Sequence, residues 1–272
     1  MSERRQILTL VGMTLLIGAA AVTLISYLPS LEREDAVVEE YKATFYPDGK
    51  LAEEYTYTIR ERKFSFLFRF WEDPLSAERL DHPYIEPLEI EEVPGAAGYY
   101  KDHQGTVSVE EPYEDNFNIL RIIRARALQN EAGSYKHEMY DPGTYTVRYL
   151  FDIHPPLEYD DEAGHLNLKL ASEHITYKQV TLVFEDAGYI ERLYPHPPSL
   201  SVEEEGGSIV VRGSSGEDEL IEVEMLIDTD ALGALDGFPR RVEGVRAQTV
   251  NANRLTSLQY SAAVGVGYGV RA

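Results

Sequence analysis

From Thr144 to Ile153 the chain keeps a strict two-residue rhythm, with Tyr145, Val147, Tyr149, Phe151 and Ile153 on one side and smaller or polar residues between them. Successive side chains of a strand point to opposite faces, so this rhythm predicts a half-buried β-strand and excludes a helix. The same period appears at Leu166, Leu168 and Leu170, at Val180, Leu182 and Phe184, and at Ile221, Val223, Met225 and Ile227. Val37–Tyr46 and Leu51–Ile59 flank Pro47-Asp48-Gly49, a hairpin signal because these residues supply fixed and positive φ angles. Phe64, Phe66, Phe68 and Phe70 predict an aromatic strand with one apolar face. Thr106–Glu110, Asn118–Leu128 and Ser208–Val211 read as further strands. Roughly ten short strands with Gly, Pro and Asp turns, and no amphipathic helix beyond about two turns, predict a mainly β domain, an antiparallel β-sandwich.

Two stretches break the pattern. Glu72–Gly105 is rich in acids and carries Pro74, Pro83, Pro87 and Pro94, which oppose ladder pairing and leave room for one short strand near Ile85–Ile90. The segment 231–272 reads as a C-terminal tail: a helix start is possible at Asn251–Tyr260, but Ser261–Val270 is too short to span a bilayer alone, although a second membrane segment would begin this way.

Ile7–Leu28 contains no charged residue. As a helix at ~1.5 Å per residue it reaches about 33 Å, enough to cross a hydrocarbon core of about 30 Å. Arg4 and Arg5 precede it and Glu32, Glu34 and Asp35 follow it, which places the N-terminus in the cytoplasm and everything after the run outside. A cleaved signal peptide is the competing reading, with Ala19-Ala20-Ala21 as the small residues, but the apolar stretch exceeds an ordinary signal core. The expected organisation is an anchor over 1–30, an acidic linker over 31–40, a β-sandwich over 41–230 with its Pro-rich excursion at 72–105, and the tail. The expected location is the plasma membrane, single-pass, with membrane lipid contacted through the N-terminal helix.

Composition narrows the partners. With 47 Asp and Glu against 25 Lys and Arg, the net charge is −22 and is spread along the chain. Such a surface repels phosphate backbones, so nucleic acid is excluded as a partner, and anionic headgroups are disfavoured as a docking surface. The chain has no cysteine, which rules out disulfides, thiolate nucleophiles and thiolate-bound zinc. An exported domain without disulfides is held by its core, and 19 Tyr and 9 Phe supply the material for one.

Particular words carry a resemblance. Tyr46-Pro47-Asp48-Gly49-Lys50-Leu51 runs into Glu53-Glu54-Tyr55-Thr56-Tyr57, followed by Phe64-Ser65-Phe66-Leu67-Phe68-Arg69; a second block is Gly143-Thr144-Tyr145-Thr146-Val147-Arg148-Tyr149, then Tyr159-Asp160-Asp161 and the leucine strand. In these blocks the chain resembles the bacterial and archaeal membrane proteins grouped as domain of unknown function 2207, over roughly 37–228. The resemblance implies an extracytoplasmic β domain on a membrane anchor. It implies no catalytic residue and no cofactor.

The motifs of common chemistries are missing. There is no Gly-x-Ser-x-Gly elbow, and Gly213-Ser214-Ser215-Gly216 reads as a turn. His137-Glu138 lacks the second histidine of a zinc protease helix. The Asp228-Thr229-Asp230 stretch has Leu232 and Pro239 where a calcium loop needs oxygen ligands. Asp160, Asp161 and Glu162 form the one candidate cation loop, otherwise an exposed acidic turn. Trp71, Tyr99, Tyr100 and Tyr113 offer either core material or a carbohydrate platform. The expectation is therefore a non-enzymatic module that binds a protein partner or organises a cell-surface complex. The alternatives are a pilin-like subunit, which calls for a processing site that Arg5-Gln6-Ile7 does not provide, and an exported carbohydrate-active protein, which calls for two carboxylates in one cleft.

Overall fold

The computed structural model describes residues 34–71, 84–110, 113–114 and 116–271, with side chains up to 258 and at 260. The proposed anchor Ile7–Leu28 and residues 72–83 of the excursion lie outside the described residues. Among those described, no helix is long and apolar enough to cross a membrane.

The hairpin forms as its turn chemistry predicts. β1 (Ala36–Phe45) and β2 (Lys50–Ile59) pair antiparallel, and Gly49 takes φ +86° while its N–H donates to the Tyr46 carbonyl at 3.0 Å. β2 then pairs with β8 (Gly143–Ile153), the strand of the strictest alternation. Together with β4 (Ile85–Glu91), β11 (Tyr177–Phe184), β13 (Ser201–Glu205) and β14 (Ser208–Ser215) they make a seven-stranded sheet in the order β13-β14-β11-β1-β2-β8-β4. A second sheet has the order β12-β15-β10-β9-β16, built from β9 (Pro156–Tyr159), β10 (Gly164–Ala171), β12 (Ile190–His196), β15 (Ile221–Ile227) and β16 (Phe238–Arg241). Tyr41, Phe45, Tyr55, Phe151 and Leu182 of the first sheet share one core with Leu166, Leu168, Val223 and Met225 of the second.

Mainly β is what the alternation demands, but purely antiparallel is not what forms. β1 runs parallel to β11, and β16 parallel to β9. Proline is tolerated as expected at a sheet margin: β4 ends the seven-stranded order, and its register slips between Pro87 and Glu89.

The third sheet corrects several expectations. β3 (Phe66–Phe70), β5 (Ala97–Lys101), β6 (Val107–Val109) and β7 (Glu131–Tyr135) form it in the order β3-β7-β5-β6. β5 falls inside the expected excursion. The segment expected as a strand at Asn118–Leu128 is helix α1 (Phe117–Arg126), nearly three turns long. Asn116 caps it, its side-chain oxygen accepting from the N–H of Asn118 and Ile119 at 3.2 Å each. The face of β3 is also reversed relative to expectation, because this sheet is covered on both sides. Leu67, Arg69 and Trp71 point into the main core, whereas Phe66 joins Tyr99, Tyr135 and Ile123 beneath α1 and Phe68 is 43 % exposed.

Arg69 is tolerable in the core because its charge is matched. Its Nε lies 3.0 Å from Glu53 Oε2, Tyr41 donates to the other carboxylate oxygen at 2.6 Å, and the guanidinium stacks 3.6 Å from the Trp71 ring centroid. Trp71, Tyr99 and Tyr100 are all buried, so these aromatics are core and not a carbohydrate platform; Tyr113 packs on the smaller cluster under α1.

Regular structure extends into the segments read as linker and tail. Strand β1 starts within the expected linker, at Ala36, and the expected tail contains β16 and a long helix, α2 (Val245–Arg271).

Candidate functional site

A group of polar and titratable side chains lies where α2 meets the outer face of the five-stranded sheet. Register places it: Glu224 on β15 stands opposite Asn167 of β10 on one side and Tyr194 of β12 on the other. His165 and His196 sit one alternation away, in opposite directions, and both lean toward the same carboxylate. His165 Nε2 is 3.5 Å from Glu224 Oε2 and His196 Nε2 is 3.5 Å from Oε1, ion-pair contacts longer than hydrogen bonds. From above, Asn253 of α2 donates its Nδ2–H to Glu224 Oε2 at 2.7 Å and to the Thr249 carbonyl at 2.9 Å. Asn253 and Thr249 are buried here. Glu158 adds a second carboxylate, 3.6 Å from His165 Nδ1, and Glu222 accepts from Asn167.

Burial pushes the Glu224 carboxyl up, but His165, His196 and Asn253 outweigh it and hold the group well below the usual carboxylate range. His196 is raised in turn, chiefly by its contact with Glu224 and against the pull of burial. The cluster is thus an ionised carboxylate gripped by imidazoles on both sides and by a helix amide above.

The acidic loop singled out by sequence is part of the same seam. Asp160 Oδ1 accepts from the N–H of Glu162 at 2.8 Å and Ala163 at 2.9 Å, and Oδ2 accepts from the first N–H of α2, Val245, at 2.8 Å. Those donors lower its pKa. Asp161 is held by Arg241 at 2.7 Å, and Arg246 reaches both Glu191 and the Glu162 carbonyl. Asp160 therefore anchors the start of α2 while Asp161 is tied to β16, and among the described residues no group of three or more acids and histidines is placed to hold a metal ion. The helix dipole favours this arrangement, since carboxylates lie at its positive end.

Other sequence candidates do not converge on a site. Ser215 ends strand β14 and not a turn. Its Oγ lies 3.4 Å from His174 Nε2, but that nitrogen also faces the Glu219 carbonyl at 2.7 Å and Nδ1 faces the Ile175 carbonyl at 2.7 Å, so no carboxylate orients the ring as a base. His137 contacts only the Tyr135 hydroxyl at 3.1 Å among described hydrogen bonds. Residues 229–234 form a turn of 3-10 helix. One carboxylate pair stands out: Glu110 is pushed up to about 7, by burial first and by Glu92 second.

The family model described as "Predicted membrane protein (DUF2207) N-terminal domain" matches residues 37–227, from the start of β1 to the end of β15. The chain belongs to this family. The matched domain contains Asp160, His165, His196 and Glu224, whereas Val245 and Asn253 on α2 lie beyond it. No curated protein matches the chain. Among solved structures, yeast leukotriene A4 hydrolase in complex with bestatin is similar at 10 % identity and a TM-score of 0.40, covering 70 % of this chain and 28 % of that one. Legionella pneumophila aminopeptidase A in complex with aspartic acid is similar at 10 % identity and a TM-score of 0.37, covering 72 % and 22 %. The chain thus spans less than a third of either length, and a likeness of that order assigns no activity.

Proposed function

We propose that the chain is a single-pass plasma-membrane protein whose N-terminus is cytoplasmic and whose β domain stands outside the cell, where it acts as a non-catalytic docking module for a protein partner. Membership in a family of predicted membrane proteins and the uncharged run Ile7–Leu28 support the location. The observation that carries the binding role is the state of α2. One face of the helix is fixed to the sheet through Val245, Thr249 and Asn253, while Leu255 and Leu258 on the other side are 61 % and 59 % exposed. Leucines three residues apart on a rigidly seated helix form the kind of stripe that packs against a second helix. The titratable groups nearby are committed to holding α2, which favours a binding surface over a reaction centre.

Cross-linking in native membranes with Leu255→Glu and Leu258→Glu tests this reading. The cross-linked partner is expected to disappear in the double variant while thermal stability stays within a few degrees of the parent. Unchanged cross-links defeat the role assigned to α2, and protection of the domain from protease on intact cells defeats its placement outside.

A further inference from the structure

Helix α1 inverts the charge of the protein around it. The chain as a whole carries −22, yet Phe117–Leu128 contains Arg121, Arg124 and Arg126 and no carboxylate. All three arginines are exposed, and among the described residues none has a carboxylate within ion-pair distance, unlike Arg148, Arg212, Arg241 and Arg246. Lys101 extends the patch: its Nζ donates to the carbonyls of Arg124 at 3.1 Å and Ala127 at 2.7 Å, closing the helix C-terminus.

The apolar side chains are divided in the same way. Ile123 and Ala127 are buried against the four-stranded sheet and fix the helix in place. On the opposite face Phe117, Arg121 and Arg124 follow one another at helical spacing, with Phe117 75 % exposed, and Leu128, just past the extended cap residue Ala127, is 47 % exposed. An aromatic ring at one end, an aliphatic side chain at the other and two guanidinium groups between them match the layering of a bilayer surface, where apolar groups enter the acyl boundary and cations remain among phosphates. The overall acidity does not prevent this. Screening confines electrostatics to about 8 Å at physiological salt, so the local sign decides contact.

We infer that the exposed face of α1 docks on the surface of an anionic lipid bilayer, giving the anchored domain a second, orienting contact with its membrane. This rests on the membrane location proposed above, and the two can fail separately. The chain has no cysteine, so Asn118→Cys, an exposed position on this face, accepts a single environment-sensitive fluorophore in the full-length protein. The protein is reconstituted in vesicles of phosphatidylcholine alone or with about 30 % phosphatidylglycerol, each doped with nitroxide lipid. Quenching at position 118 is expected to rise about threefold with the anionic lipid, to fall back in about 0.5 M NaCl, and to be lost in Arg121→Glu with Arg124→Glu. Phe117→Ser is expected to reduce it while leaving the salt response. A label at Glu204→Cys on β13 is expected to stay unquenched in both lipids.

Equal quenching at 118 and 204, or no dependence on lipid charge, overturns the inference. So does protection of position 118 in native membranes combined with none in vesicles, which would give this face to an acidic protein. If the chain fails to float with phosphatidylcholine vesicles, the anchor reading falls alone; vesicles are then added to the free chain and the same quenching comparison decides the helix.

Discussion

Helices α1 and α2 rest on their sheets by opposite means. α1 sits on the four-stranded sheet through Ile123 and Ala127, over Tyr99, Tyr135 and Phe66, with Lys101 donating to its last carbonyls. α2 sits on the five-stranded sheet through Asp160, Glu224 and Asn253, with Val245 as its main apolar contact. Apolar burial is non-directional and tolerates rotation of the helix, whereas a carboxylate with fixed donors specifies one azimuth. An element that must present one defined face, Leu255 and Leu258, is held by the directional kind.

The comparison is broken most severely at the apolar seat. Ile123 is fully buried, and Ile123→Ala is expected to cost about 2–5 kcal/mol through lost transfer energy and the cavity left behind. Urea titration reads the loss. Amide exchange is expected to localise it to 117–126 and to leave 249–256 unchanged; equal deprotection of both helices would mean that they are not separate units. Gly133→Ala acts on the same seat by the opposite route. A Cβ there would come within 2.6–2.8 Å of the Tyr99 ring, and displacing a buried aromatic costs about 1–3 kcal/mol.

The polar seat yields less to any single change. Glu224→Gln keeps an acceptor for Asn253 but removes the charge between His165 and His196, an expected loss of about 1–3 kcal/mol, the range for a hydrogen bond to a partly buried charged group. Exchange at Thr249 and Asn253 is expected to speed up while α1 keeps its protection. If α1 changes as well, the carboxylate supports the whole fold and not the docking of α2.

Much of this architecture was legible and the exceptions share causes. β1, β2, β8, β10, β11 and β15 announce themselves because each is apolar on alternate residues, and the turn joining β1 to β2 contains Asp48 and Gly49. β5 and β7 are buried on both faces and built from Ala97, Gly98, Ala132, Gly133 and Ser134, small residues that leave no alternation to read. α1 was obscured by β-branched Ile119, Ile122 and Ile123; its real signals were Asn116 as cap and the four-residue spacing of Ile119, Ile123 and Ala127. The seam was beyond reading. It needs the register of three strands to bring His165, His196 and Glu224 together, and Asp160 finds its helix 85 residues later.

The smallest expected effect is also the most diagnostic of the polar seat, because it needs only a change of pH. Glu224 titrates below its ordinary value of about 4.3 in the folded protein, so its contribution is present above that pH and disappears as pH falls through the lowered value. His196 titrates above its ordinary value of about 6.5, so its contribution is complete below that pH and disappears as pH rises through the raised value. Protection of α2 is therefore expected to be greatest between about pH 4.5 and 6.5 and to decline a few-fold on the way to pH 8. His196→Gln, which keeps a donor near Glu224 without a titrating ring, is expected to flatten the alkaline side of that profile and leave the acid side intact. An alkaline decline that survives in His196→Gln would mean that His196 is not its source, and a flat profile in the parent would mean that Asn253 alone seats the helix.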